Sequence, residues 1–141
     1  MGSEERQRFV DILRACLGWP YVWGSNGENE TADCSGLLVF ALRKMGKIKP
    51  ADDLTAHGLY AACPATQAPR LGDFAFYGTP KRVSHVVAFI GGGEVISASG
   101  GGPLMTSAEI ARQRGAMVKI HSGPEYRRDL VSFGSNFFME E

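Results

Sequence analysis

The chain lacks most of the features that would declare a specialised class. Fifteen lysines and arginines stand against fifteen aspartates and glutamates, so the formal net charge is zero and nothing favours nucleic acid or another polyanion as partner. No window approaches the roughly 18 continuous apolar residues of a membrane span. The N-terminus, Met1 to Arg8, is charged where a signal peptide turns hydrophobic, so the expectation is synthesis in the cytoplasm without an export signal of its own. Three cysteines, Cys16, Cys34 and Cys63, are too few and too widely spaced for a disulfide framework or a Cys-x-x-Cys metal knuckle. Internal repeats, low-complexity tracts and charge blocks are also missing. A length of 141 residues fits one domain, 1–141, able to bury a single core.

What is present falls into a helical half followed by a strand half, the order of an α+β domain. Phe9, Ile12, Leu13, Cys16 and Leu17 recur at helical spacing, opened by Ser3, Glu4 and Glu5 and closed by Gly18 and Pro20. A second helix is predicted from Cys34 to about Met45, with Asp33 as N-cap and Gly46 as its stop, apolar nearly all round and therefore central. A third is predicted to open at Asp52 and Asp53 and to run through Leu54, Leu59 and Tyr60 to the residues before Pro64. The pattern then changes period. Phe74 to Tyr77, Val83 to Ile90, Val95 to Ser99 and Met117 to His121 read as strands of an antiparallel meander, with Gly91-Gly92-Gly93 as a hairpin and a short helix near Ser107 to Arg114. The strand after His85 is wholly apolar and is expected to be buried on both faces. The tail, Glu125 to Glu141, with Arg127, Arg128, Phe133, Phe137 and Phe138, is expected to pack across the core, with service to a partner as the alternative.

Two residues stand out chemically. Cys34 sits in Thr31-Ala32-Asp33-Cys34-Ser35-Gly36, where its thiol would head a buried helix and the backbone amides and helix dipole would favour the thiolate. Asp33 beside it opposes that charge. His85 heads a buried strand, and a lone histidine there is either a residue satisfied by hydrogen bonds or the base that a cysteine nucleophile requires.

Three segments, in order, carry a family resemblance: Gly18-Trp19-Pro20-Tyr21-Val22-Trp23-Gly24 before Asp33-Cys34-Ser35-Gly36; Leu71-Gly72-Asp73-Phe74-Ala75-Phe76-Tyr77; and Ser84-His85-Val86-Val87-Ala88-Phe89-Ile90-Gly91. Over about residues 5–121 the chain resembles the NlpC-type (NlpC and p-sixty) cell-wall cysteine peptidases. The resemblance implies a papain-like α+β fold, N-terminal helices with the catalytic cysteine at a helix N-terminus packed on a C-terminal antiparallel sheet. It also implies hydrolysis of an amide in bacterial peptidoglycan stem peptides, most often between γ-D-glutamate and the following diamino acid, with no metal or organic cofactor. By position, Cys34 matches the nucleophile and His85 the base. Tyr21 matches an oxyanion donor, with a core role equally open. Asp33 and Ser35 match residues that hold the substrate peptide, Asp33 serving equally as helix cap. Trp23 would shape the groove, with a place in the core also open, and Asp73 would fix the turn before its strand.

The third catalytic position departs from the pattern, because Ser97 stands where relatives carry histidine, asparagine or glutamine. Strand alternation puts Ser97 and Ser99 on one face and Ile96 and Ala98 on the other. His121 or a backbone carbonyl can substitute for Ser97, and His57 reads as groove rim or surface. Three classes follow: a peptidoglycan hydrolase, such as a phage lysin, tail peptidase or secreted effector; an amidase or acyltransferase on the same fold; or a cell-wall binding module without turnover.

Overall fold

A computed structural model describes residues 2–139; Met1 of the charged N-terminal stretch, and Glu140 and Glu141 of the tail, lie outside the described residues. Helix α1, Gly2–Ala15, buries Phe9, Val10 and Leu13 completely. Cys16 closes it as a core residue, its thiol donating to the Ile12 carbonyl at 3.3 Å. Leu17, expected on the same apolar face, is 44 % exposed, because the helix has already ended. Helix α2, Cys34–Lys44, buries Leu37, Leu38, Val39, Ala41 and Leu42, which is why its sequence is apolar around the whole circumference. Each leucine buried this way contributes about 1.5 to 3 kcal/mol.

Helix α3, Ala56–Ala62, starts later than its sequence suggested. Thr55 caps it by accepting from the Gly58 amide at 2.9 Å, while Asp52 turns back, its carboxylate accepting from the Lys49 amide and its carbonyl from Arg43. Asp52 therefore closes the turn after Pro50 rather than opening the helix.

Strands β1 (Ala65–Thr66), β2 (Phe74–Thr79), β3 (Arg82–Gly91), β4 (Glu94–Ser99), β5 (Met117–His121) and β6 (Leu130–Gly134) form one antiparallel sheet in the order β1-β6-β2-β3-β4-β5. The meander β2 to β5 is as expected, with the β3–β4 hairpin turning at Gly92 and Gly93, both at positive φ. Helix α4, Ala108–Arg114, links β4 to β5. The tail does pack on the core, but as a strand: β6 enters the sheet between β1 and β2.

One face of the sheet, with Val86, Ala88, Ile90, Ile96 and Ala98, meets the helices. On the other, Ala75, Tyr77, Val87, Phe89 and Val95 form a second cluster with Leu130 and Phe133 of the adjoining β6 and with Tyr126. Burial on both faces explains the unbroken apolar run of β3. No described helix is long and apolar enough to cross a membrane.

Candidate active site

Helix α2 begins at the thiol because Asp33 caps it. One carboxylate oxygen accepts from the Gly36 amide at 2.7 Å, the other from the Gly24 amide at 2.8 Å, and the Asp33 amide donates to the Ser25 carbonyl. A Cβ at Gly36 would run into that same carbonyl oxygen, so glycine is what lets the 24–25 turn approach the helix. The Ser35 hydroxyl lies 3.4 Å from Asp33. Burial pushes the Asp33 carboxyl above its usual range, against the hydrogen bonds from Gly36, Gly24 and Ser35.

The buried Cys34 thiol rests against the backbone of β3, 4.0 Å from the Ser84 carbonyl oxygen. Burial, and after it the Asp33 charge, raises the thiol from 9.0 to about 11, opposed by the amides of Val86, Ser35 and Cys34 itself. That rise corresponds to roughly 3 kcal/mol in favour of the thiol, whereas a helix terminus offers about 0.3 to 1 kcal/mol to a charge. The helix start does not create a thiolate at rest.

His85, 7 % exposed, is held through its Nε2, which lies 2.7 Å from the Tyr126 hydroxyl and 3.5 Å from the Ser97 hydroxyl. Burial, then the Arg127 charge, lowers the imidazole from 6.5 to about 3, with Asp129 opposing. Ser97 and Ser99 share the face expected for them, 2.5 Å apart, and Ser99 reaches His121 Nε2 at 3.1 Å. Among the described residues no hydrogen bond joins Cys34 to His85. The two open instead onto adjoining hollows of about 450 and 380 Å³ that share Tyr21, Trp23, Arg82 and Ser84.

Residues 18–21 run beside β5, with hydrogen bonds from Gly18 to Val118, Val118 to Trp19 and Tyr21 to Ala116. This carries the buried Tyr21 to the wall shared by both hollows, where burial above all, and after it Cys34 and Asp33, push the pKa of its phenol up. Trp23, 54 % exposed, stands at the rim rather than in the core. His57 is an exposed rim residue, its Nδ1 accepting from the Val83 amide at 3.1 Å. Asp73 lies away from the site and fixes the turn before β2, accepting from Arg6, from the Arg70 amide and from the Asn136 amide.

Tyr126 is the site residue that sequence reasoning missed. It sits in a 3-10 turn, Pro124–Tyr126, and its ring stacks on His121 with centroids 3.8 Å apart. Pro124, which favours the first turn of such a helix, is the one local signal for it.

The sequence profile of the NlpC/P60 family matches residues 18–122. The peptidoglycan endopeptidase RipB of Mycobacterium tuberculosis is 30% identical over 125 residues, 78% of this chain and 51% of its own. The probable endopeptidase p60 of Listeria grayi is 33% identical over 86 residues, 61% of this chain and 16% of that one. This chain thus spans from about a sixth to a half of these curated relatives. Among solved structures, the P60 domain of antigen MAP1204 from M. avium subspecies paratuberculosis superposes with a TM-score of 0.70, covering 99% of this chain and 98% of that one at 24% identity. NlpC2 of Trichomonas vaginalis does so with a TM-score of 0.73, covering 93% and 46% at 23% identity. The papain-like α+β expectation and the family resemblance are both borne out: the chain belongs to the NlpC/P60 family.

Proposed function

We propose that this chain is a cysteine endopeptidase that hydrolyses an amide in bacterial peptidoglycan stem peptides, with Cys34 as nucleophile and His85 as base. The observation that carries the reading is the Cys34 thiol seated on the β3 backbone at Ser84, one residue from His85, whose imidazole is held at Nε2 by Tyr126. Burial favours the neutral form of both the thiol and the imidazole, so the thiol proton has to be taken up by His85 for the sulfur to attack. His85 Nδ1 takes that proton while the amide carbonyl becomes a tetrahedral oxyanion. The Cys34 amide and the Tyr21 phenol are the donors for that oxyanion. Collapse expels the amine, which takes the proton from His85, and leaves a thioacyl enzyme. Water, deprotonated by His85, then releases the carboxylate and restores the thiol.

The groove suits a substrate that carries charges of both signs. Asp33 and Asp53 line the hollow containing Cys34, and Arg127 lines the one containing His85, with Arg82 between them. A γ-D-glutamyl bond to a diamino acid has carboxylates and an amine near the scissile amide, and Bacillus subtilis CwlT, 30% identical over 88 residues, is named a muramidase/DL-endopeptidase. This is the bond we propose. Incubation with peptidoglycan sacculi, followed by mass analysis of the released peptides, tests it. Release of peptides ending in γ-D-glutamate, abolished in Cys34→Ala, is the expected result. Sacculi left unaltered, or hydrolysis undiminished in Cys34→Ala, overturns it.

A further inference from the structure

We propose that Tyr126 is the positioning residue for His85, in the role that the family resemblance assigns to Ser97. This rests on the reading of Cys34 and His85 given above. The distances separate the two candidates. At 2.7 Å the Tyr126 hydroxyl makes a full hydrogen bond to Nε2, whereas Ser97 at 3.5 Å stands at the limit of one.

Tyr126 is held from several sides, as a residue that orients another must be. Its ring stacks on His121 and meets Tyr77 edge-on at 5.6 Å, and the Tyr77 hydroxyl donates to the Pro124 carbonyl at 2.7 Å, pinning the turn that carries Tyr126. Arg127, paired with Asp129, lies over the Tyr77 ring. A phenol fixed this way loses little entropy when it binds the imidazole.

The direction follows from counting protons. A hydroxyl donates once, and a neutral imidazole has one donor and one acceptor nitrogen. For His85 Nδ1 to accept a proton from the thiol, Nε2 must carry the hydrogen and donate to Tyr126. The Tyr126 oxygen is the acceptor, at 2.7 Å. Ser97 and Ser99 are bonded to each other, and Ser99 to His121 Nε2, but among the described residues no hydrogen bond joins either serine to Tyr126. If Nε2 carried no hydrogen, Tyr126 would donate to His85 and the hydrogen would sit on Nδ1, where it blocks the base. The other groups facing His85 are Tyr77 from β2 and the charges of Arg127 and Asp129.

Tyr126→Phe tests the idea, because it removes the hydroxyl and keeps the ring stack. Expected are a roughly 10-fold fall in kcat with KM little changed, a smaller fall in Ser97→Ala, and slower alkylation of Cys34 by iodoacetamide near neutral pH. The second measurement needs no turnover: in imidazole nitrogen NMR spectra the wild type should carry the His85 hydrogen on Nε2, and Tyr126→Phe should lose that preference. An unaltered His85 tautomer in Tyr126→Phe, or a larger loss of kcat in Ser97→Ala, overturns the proposal. If sacculi are not cleaved at all, the peptidase reading fails while the tautomer measurement still decides the role of Tyr126.

Discussion

At Cys34 and His85 burial acts on opposite charges and reaches the same result, a neutral pair. For stability this has a definite sign. The unfolded chain binds a proton at His85 below about 6.5, and the folded chain does so only near 3, where burial and Arg127 have driven the imidazole. Between those values the unfolded state holds the extra proton, so stability falls as pH is lowered from 6.5 toward 3. His85→Gln removes this contribution. Denaturant midpoints at pH 7 and pH 5 should differ less in His85→Gln than in the wild type, and equal differences would contradict the shift. Residues also mark the limit of sequence reading. Cys34 and His85 were legible because a helix start and the head of a buried strand are local patterns. Tyr126 was not, because its role depends on a hydrogen bond to a residue 41 positions away.

The start of α2 sets two effects against each other at Gly36. Alanine is the better helix former by about 1 kcal/mol, which alone would make Gly36→Ala stabilising. Its Cβ, however, would enter the Ser25 carbonyl oxygen, a backbone atom held by the Asp33 amide. Overpacking of this kind costs about 1 to 3 kcal/mol, and backbone yields less readily than a side chain. Collision wins, so Gly36→Ala should lower the denaturation midpoint and slow alkylation of Cys34 by displacing the helix start. An unchanged or raised midpoint would show that the turn can give way. Helices α1 and α2 and the meander were readable from period and caps. Strand β6 was not: its five residues follow Arg127, Arg128 and Asp129 with no hairpin signal, and its partner β2 lies more than 50 residues earlier.

Across the whole molecule Asp73 joins three distant parts. Its carboxylate binds Arg6 of α1 at 2.7 Å in a nearly dry ion pair, the Arg70 amide before β2, and the Asn136 amide after β6. Removing one partner of a buried pair costs about 3 to 5 kcal/mol. Asp73→Ala should fall at the lower end, near 3 kcal/mol, because the carbonyls of Leu71 and Asn136 still accept from Arg6. Urea unfolding measures it, and a loss below about 1 kcal/mol, the range of an exposed pair, would mean the network relaxes on its own.

The position of β6 bears on how the molecule is made. A chain emerging from its N-terminus completes β2 through β5 while the edge of β2 is bare, since the strand that covers it is synthesised last. The same late segment brings Tyr126 to His85. If Tyr126 has the role proposed for it, a nascent or C-terminally clipped chain carries its thiol and imidazole without the partner that steadies the base, and the full hydrolytic rate is reached as this late segment docks.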